Sequence, residues 1–299
     1  MKTLLLTALL LVSAQSNAKD LIDYAIEGDY ITVGNLLKIG IDPNMERDNL
    51  TPLLAAAEYC KDLPERMDSY PYTRCFGVIL RLLSNLNYQN DTGDTFMIKF
   101  ASNIDIYSFC DSYFSKTKPC NYFREDLIRL QPAKFNPEIT NVYGNNFFHM
   151  AMDSAKKHHI ANECNQSKID GKCKKLSFIV FLKSLVRHAG TDINDYSNLV
   201  RILNTQNYLG HTPAMVYPDY YAWSAIGILA PNLVDNEGKT ALVYALEGDS
   251  NFKSKMIAML IEQDLDLEQI LFDGRTQGEW IEAFYKEQYK LAHSSNFAY

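Results

Sequence analysis

Residues 20–57 of the chain, DLIDYAIEGDYITVGNLLKIGIDPNMERDNLTPLLAAA, decide its fold. Two short apolar stripes occur there at helical spacing, on Leu21, Ile22 and Ala25 and on Val33, Leu36 and Leu37. Gly28 and Gly40 follow the two stripes, and glycine ends a helix without a Cβ clash. Helices this short cannot cover their own apolar faces, so we expect a neighbour of the same kind to stack on the pair.

The residues after Gly40 prepare another unit of the same kind. Asp42-Pro43-Asn44 forbids further helix and favours a turn. The hydroxyl of Thr51 can cap the next helix, and Pro52 suits its first turn. With Ala55-Ala56 after Thr51-Pro52-Leu53, the stretch resembles an ankyrin repeat. The resemblance implies an all-α fold and a role in binding another protein.

Similar openings recur along the chain at uneven distances, whereas ankyrin repeats have a period of about 33 residues. They lie at Thr51, Thr95, Asn146, Thr212 and Thr240. We therefore predict an α-solenoid of about six irregular ankyrin-like helical hairpins with short β-turn connections over residues 19–268, with insertions. Residues 269–299 are predicted to form a C-terminal helical cap with an apolar stripe on Trp280, Ile281, Phe284, Tyr285 and Tyr289. Residues 195–206 suggest a short additional helix.

The first 18 residues have the features of a secretory signal peptide. Lys2 supplies the positive region, Leu4 to Val12 the apolar run, and Ser16-Asn17-Ala18 the cleavage site. The apolar run is shorter than the ~20 residues that span a bilayer. We expect cleavage after Ala18 and a periplasmic or secreted mature protein without membrane insertion.

The composition favours a folded protein that does not bind nucleic acid. A hydrophobic content of 47% is sufficient for a core. The net charge of −7 argues against nucleic acid, which attracts a basic face. The 19 tyrosines suit a binding surface, although half-buried rings between repeats would explain them equally well.

The six cysteines agree with export to an oxidising compartment. Each neighbouring pair brackets a polar segment between two apolar helical runs. We predict the disulfides Cys60–Cys75, Cys110–Cys120 and Cys164–Cys173, and closing a loop of about 15 residues contributes around 3 kcal/mol. Free buried thiols remain an alternative. A zinc site is a weaker one, because no histidine stands at ligand spacing.

No enzyme motif is present, and we expect no cofactor, metal site or catalytic residue. Nucleophile elbows, Walker loops, HExxH and GxGxxG are all missing from the sequence. The resemblance implies that His149 hydrogen-bonds the backbone between neighbouring turns. A hydrolase with an unrecognised pair of carboxylates remains an alternative, because sequence spacing does not fix such a pair.

The resemblance also implies where a partner would bind, namely at the turn tips and on the exposed face of the inner helices. The predicted tip residues are Arg47, Asp48, Asn49, Asn90, Asp91, Tyr143, Asn145, Tyr208, His211, Glu237 and Lys239. The predicted inner-helix residues are Glu58, Tyr59, Tyr217 and Tyr244. Whether a partner uses this groove or the three cysteine-bracketed loops stays open.

Three functions are compatible with these features. An exported acidic scaffold without chemistry of its own suits neutralisation of a toxic effector, as an immunity protein does. A secreted virulence effector that binds a host protein is the second possibility, and the hydrolase is the third. In the first two cases the partner is a protein, and we expect the free chain to be monomeric.

Overall fold

The fold is described from a computed structural model, which covers residues 19–61, 77–79, 81–82, 86–103, 136–157, 196–218, 220, 223, 229–248 and 252–294. These residues form helices and tight turns, and the only β-pairings among them are two isolated bridges. None of the described helices has the length and apolar character needed to cross a membrane.

The helices are short and follow one another closely. In chain order they are α1 (Leu21–Ile26), α2 (Tyr30–Lys38), α3 (Pro52–Lys61), α4 (Phe96–Asn103), α5 (Phe147–Lys157), α6 (Tyr196–Leu203), α7 (Pro213–Val216), α8 (Ala241–Glu247), α9 (Lys253–Glu262) and α10 (Gln277–Ser294). Residues 77–79 and 81–82, in the predicted outer helix of the second unit, are also helical. The additional helix suggested for residues 195–206 corresponds to α6.

The first hairpin forms as its sequence predicts. The carboxylate of Asp20 accepts hydrogen bonds from the N–H groups of Ile22 and Asp23, and the carboxylate of Asp23 accepts one from the N–H of Asp20. Gly28 (φ +68°) and Gly40 (φ +91°) both follow helix ends in the left-handed conformation. The helix stops predicted at these two glycines are confirmed.

The inner helices stack in one row. Helices α1, α3, α4, α5, α7, α8 and α10 each pack against the next member of that series, while α2 packs on α1 and α9 on α8. The faces between them form a single continuous core that includes Phe100, Phe148, Trp223 and Leu242. Each short helix buries its apolar face against its neighbours, and the predicted all-α solenoid is confirmed.

Each inner helix from α3 onward follows a tight turn, and we name these tip turns 1 to 6. They span residues 47–50, 90–94, 141–145, 207–211, 235–239 and 271–275. In tip turns 2 to 6 the N–H of the first residue donates to the carbonyl of the fifth. The fourth residue of these turns is a glycine with φ between +72° and +79°. Tip turn 1 uses positive φ at Asp48 (+52°) and Asn49 (+66°) instead.

Hydrogen bonds join successive tip turns into a ladder. The backbone bonds run from Val142 N to Thr92 O (3.0 Å), from Tyr208 N to Tyr143 O (3.1 Å) and from Asn236 N to Leu209 O (3.1 Å). Side-chain amides add further bonds, from Asn141 Nδ2 to Asp94 Oδ1 (3.0 Å) and from Asn207 Nδ2 to Asn145 Oδ1 (2.9 Å). The turns are therefore fixed relative to one another as well as internally.

Tip turn 6 lies in the region that the sequence assigns to the terminal cap. Thr276 and Glu279 form a capping box, with bonds of 2.8 and 3.2 Å, immediately before and within α10. Helix α10 packs Trp280, Ile281 and Phe284 against the core. Tyr285 and Tyr289 are 46% and 67% exposed, so the apolar stripe is narrower than predicted, because α10 contacts the stack on one side.

Several sequence predictions concern residues outside the described part of the chain. The signal peptide, residues 1–18, is one of them. Cys60 lies in α3, but its side chain is not described, and the other five cysteines fall in undescribed segments. The three predicted disulfides and the loops that they would close therefore stay predictions.

The tip-turn glycines give a testable stability difference. A Cβ on Gly210 would lie 2.7 Å from the backbone nitrogen of Asn236, whereas nothing lies within 4 Å of one on Gly40. Both glycines have positive φ, which costs an alanine about 1–2 kcal/mol. Gly210→Ala should lose about 1–3 kcal/mol more than Gly40→Ala because of overpacking. Urea unfolding followed by circular dichroism measures both, and equal losses would contradict close turn contact.

Candidate functional site

A cleft of about 360 Å³ opens where tip turns 3 and 4 meet the inner helices α5, α7 and α8. Its walls combine amides, charged groups, a histidine and a tyrosine with apolar side chains. The lining residues are Asn145, His149, Met150, Asp153, Lys156, Asn207, His211, Met215, Val216 and Tyr244. The cleft thus draws its residues from three successive units of the stack.

The structure brings part of the predicted binding set together in this cleft. Asn145, His211 and Tyr244, predicted from different repeats, all line it. Tyr143 and Tyr208 lie beside it at the tips of turns 3 and 4, where they are 64% and 72% exposed. These residues form one continuous surface, because the tip turns that carry them are hydrogen-bonded to each other.

Glu237 and Lys239 lie in the neighbouring tip turn 5. The ammonium of Lys239 is 3.4 Å from a carboxylate oxygen of Glu237 and 3.6 Å from one of Glu247. It also lies over the ring of Tyr244, 5.7 Å from the centroid, and over that of Phe272, at 5.4 Å. Lys239 is therefore engaged within the protein, whereas the side chain of Glu237 is 70% exposed.

The N-terminal tip residues lie apart from the cleft, in tip turns 1 and 2. The amide oxygen of Asn49 accepts a hydrogen bond from the N–H of Asp91 (2.8 Å), and the amide of Asn90 donates to the Asn49 carbonyl (3.2 Å). Asn49 and Asn90 thus join the two turns. Asp48 has a side chain that is 90% exposed.

Arg47 was predicted as a contact residue, but its guanidinium is bound within the first unit. Its two terminal nitrogens donate to Asp20 (2.8 Å) and to both oxygens of Asp23 (2.7 and 3.0 Å). The hydrogen bond from Arg47 holds the pKa of Asp23 at about 2. Arg47 therefore fastens tip turn 1 to the N-terminus of α1.

The remaining predicted residues of the inner helices are Tyr217, Glu58 and Tyr59. Tyr217 was predicted to face outward, but α7 ends at Val216 and Tyr217 is its C-cap, packed partly against the core. Its carbonyl accepts the indole N–H of Trp223 (2.8 Å). Helix α7 has only four residues, so Tyr217 lies just beyond the residues of that helix that line the cleft. The side chains of Glu58 and Tyr59 in α3 lie outside the description.

His149 forms the buried floor of the cleft and is 1% exposed. Its Nδ1 accepts the N–H of Asn146 (3.2 Å), so Nε2 carries the proton and donates to the carbonyl of His211 (2.9 Å). Burial lowers its pKa to about 4, and His149 is neutral at pH 7. The predicted backbone contact of this histidine with a neighbouring turn is confirmed.

A second polar cluster lies beside His149 and joins tip turns 4 and 5 to α8. The hydroxyl of Tyr244 donates to Oδ2 of Asp235 (2.6 Å) and lies 3.0 Å from Nε2 of His211. Oδ1 of Asp235 accepts the N–H groups of Glu237 (2.8 Å) and Lys239 (2.9 Å). The Asp235 side chain has no exposed surface.

The ionisation of this cluster follows from its contacts. Burial opposes the charge of Asp235, but hydrogen bonds from Tyr244 and from two backbone N–H groups outweigh it and lower its pKa. Burial, with the bond to Asp235, raises the pKa of Tyr244. Tyr244 is therefore a neutral donor to a buried carboxylate, an arrangement that fixes the cleft wall rather than preparing a nucleophile.

No serine, threonine or cysteine occurs among the described residues that line the cleft. Nor does the described part of the chain contain a group of three or more metal-ligating side chains. Lys156, exposed on α5, presents a cation beside the apolar side chains of Met150 and Met215.

Sequence reasoning missed several residues of the cleft. Met150, Asp153 and Lys156 share one face of α5 with His149, at intervals of three or four residues. That spacing was available in the sequence once His149 had been placed at the groove. Asn207 and Met215 had no comparable signal, because their place follows from the packing of α7.

Comparison with known proteins identifies the fold. No protein-family model matches the sequence, and no curated protein matches it. The ankyrin repeat domain of Bcl-3, a member of the IkappaB protein family, aligns with a TM-score of 0.50 at 12% identity, over 87% of this chain and 92% of that one. The chain has the ankyrin-repeat fold, as its sequence predicts.

Two bacterial structures are similar at slightly lower scores. An ankyrin repeat domain from Acinetobacter baumannii AYE has a TM-score of 0.49 at 14% identity, over 82% of this chain and 98% of that one. A chain of the Bdellovibrio bacteriovorus complex between the predatory endopeptidase Bd0816 and the immunity protein Bd3460 has a TM-score of 0.44 at 22% identity, over 82% and 98%. Since both scores are below 0.5, the fold assignment depends on the Bcl-3 domain and on the geometry above.

The buried state of His149 predicts a pH-dependent stability. Its pKa rises from about 4 in the folded protein to about 6.5 when unfolded, so the unfolded chain binds more protons between these values. This contribution, about 3 kcal/mol, is complete above pH 6.5 and is lost as the pH falls to 4. His149→Gln does not titrate, so its unfolding free energy should depend less on pH in that window. Identical pH slopes for the two proteins would contradict the assignment.

Removal of the Tyr244 hydroxyl tests the second cluster. Tyr244→Phe leaves Oδ2 of Asp235 without its O–H donor, which should cost about 1–3 kcal/mol of unfolding free energy. Tyr285→Phe, at an exposed position of α10, is the matched control and should change it little. Equal midpoints of chemical unfolding for the two variants would show that the Asp235–Tyr244 bond contributes nothing.

Proposed function

We propose that the chain is a non-catalytic scaffold that binds another protein through the concave cleft and the adjoining tips of turns 3 and 4. The observation that carries this proposal is the cleft itself, whose lining residues come from three units and are held by bonds within the stack. Such a surface is preorganised, so a partner that binds it loses little of its affinity to ordering the scaffold.

The composition of the cleft supports a protein as the ligand. Met150 and Val216, both partly exposed, supply apolar contact area, and Met is adaptable to irregular partner surfaces. Asp153, Lys156 and the two asparagines add polar groups around that area. An apolar centre with a polar rim is the usual anatomy of a protein interface.

The more specific form of the proposal is an immunity-type protein that neutralises a toxic effector in the periplasm. It is supported by the signal peptide predicted for residues 1–18 and by the lack of a recognisable catalytic motif. A scaffold of this kind would act by covering the effector, because inhibition by occlusion needs no chemistry of its own. The partner is then an exported enzyme that damages the cell producing it.

Capture of that enzyme is the first test. The mature chain, residues 19–299, is immobilised and exposed to periplasmic extract of the producing cell, and bound proteins are identified by mass spectrometry. Lys156→Glu reverses a cleft charge and should weaken capture of a cleft-bound partner about tenfold. Lys38→Glu makes the same change on the outer helix α2 and should leave capture unchanged.

Protection of growth is the second part of the test. The captured enzyme, exported alone in a laboratory bacterium, should slow growth, and co-export of the mature chain should restore it. Absence of any Lys156-sensitive partner would contradict the cleft as the binding site. A partner that is harmless when exported would contradict the immunity role, and release of the chain into the medium would favour a secreted effector instead.

A further inference from the structure

The tips of turns 3 and 4 carry an exposed apolar patch whose residues are Val142, Tyr143, Tyr208 and Leu209. Their exposed fractions are 46%, 64%, 72% and 62%. The four residues are adjacent, because Tyr208 N donates to the carbonyl of Tyr143 (3.1 Å) and the Tyr208 ring lies against Gly144. We refer to them as the tip patch.

The tip patch is rigid. The amide oxygen of Asn141 accepts the N–H groups of Tyr143 (3.0 Å) and Asn145 (3.1 Å) within turn 3. In turn 4, Asn207 accepts those of Leu209 and His211, both at 3.0 Å. Large side chains on a fixed backbone lose little freedom on binding, and rigid aromatic anchors of this kind dominate protein interfaces.

The turn geometry does not require apolar residues at these positions. At the second and third positions turn 6 has Phe272, whose ring packs against that of Trp280, and Asp273. The residues are polar in the other turns, namely Asp48 and Asn49 in turn 1, Asp91 and Thr92 in turn 2, and Asn236 and Glu237 in turn 5. Those turns make the same ladder with polar side chains. The apolar residues of turns 3 and 4 therefore do not serve the fold, and exposure of such a patch marks an interaction site.

Acidic side chains stand on both sides of the patch. Asp48 and Asp91 precede it along the ladder, and Glu237 and Asp273 follow it, while no lysine or arginine occupies these positions of the tip turns. The nearest cations in the turns are engaged, since Arg47 binds Asp20 and Asp23, Lys239 lies between two glutamates, and Arg275 binds Asp273 (2.6 Å). Asp48, Asp91 and Glu237 thus place exposed carboxylates on both sides of an apolar centre.

We propose that the tip patch binds a protein surface with an apolar centre and basic residues on both sides. This inference deepens the protein-binding function proposed above and rests on it. An anionic membrane would also accept exposed tyrosines, but the acidic flanks repel it. The basic residues would accelerate association, whereas the apolar centre would supply most of the affinity.

A library of disulfide-constrained cyclic heptapeptides displayed on phage tests this chemistry without knowledge of the natural partner. It is selected against the mature chain, residues 19–299. We expect the enriched peptides to have an aliphatic or aromatic centre with lysine or arginine on both sides. Synthetic copies are then measured by surface plasmon resonance at 50 and 300 mM salt, where charge-assisted association should slow at the higher salt.

The two tyrosine substitutions use residues that the chain's own turns carry at the same positions. Tyr143→Thr with Tyr208→Asn copies turns 2 and 5, so folding should be retained, and the peptides should bind at least tenfold more weakly. Asp91→Asn with Glu237→Gln should slow association several-fold and reduce its salt dependence. Tyr285→Asn, on α10 away from the patch, should change neither rate.

Either of two results would overturn the inference. One is enrichment of acidic peptides or of peptides without basic residues. The other is failure to obtain any binder that depends on Tyr143 and Tyr208. Peptides that depend on Lys156 and not on the two tyrosines would overturn the tip patch while leaving the protein-binding scaffold intact.

Discussion

Close approach of backbone between successive tip turns is the constraint on which the stack depends. The glycines of turns 2 to 4 bring neighbouring turns within hydrogen-bond distance, and a Cβ on Gly93, Gly144 or Gly210 would meet the next turn's backbone at 2.7 to 3.0 Å. The asparagine or aspartate at the start of turns 3 to 5 then binds the backbone N–H groups of its own turn. These bonds set the distance at which the inner helices can share a core.

The same constraint explains why the chain tolerates helices of very different length. Helix α7 has four residues and α5 has eleven, yet both pack in the row. A four-residue helix is far below the length that is stable alone. Its position is instead imposed at the end of the turn before it, where Thr212 caps Met215 and the carbonyl of His211 accepts a hydrogen bond from His149 of the preceding unit. Contacts between units therefore stabilise α7, and the intrinsic helix propensity of its four residues does not.

Local features were predictable from the sequence, and contacts between units were not. Gly28, Gly40 and the Thr51 cap act within a few residues of themselves, so their roles follow from residue type and spacing. Tip turn 6 was missed, although Gly274-Arg275-Thr276 has the same pattern as Gly238-Lys239-Thr240 in turn 5.

The Asp235–Tyr244–His211 cluster and the Thr240–Gln277 bond (2.9 Å) join residues of different units. No local pattern specifies such contacts. Arg47 shows that a position at a tip does not by itself identify a binding residue. Its place in the sequence suggested a binding role, whereas its contacts with Asp20 and Asp23 give it a structural one.

Cohesion and recognition use different atoms of the tip turns. The ladder is made by backbone groups, by the glycine and by the first residue, all of which face along the stack. The second and third residues contribute backbone bonds. Among their side chains, Asn49 and Asn236 bond across turns, whereas Thr92, Glu237 and Asp273 contact groups of their own turns. A change of the side chains other than these two asparagines alters the outer surface without loss of a ladder bond, which is why aspartate, tyrosine, leucine and glutamate all occur there. In such a stack, substitution of the second and third residues of a turn can change the binding specificity while the fold stays the same.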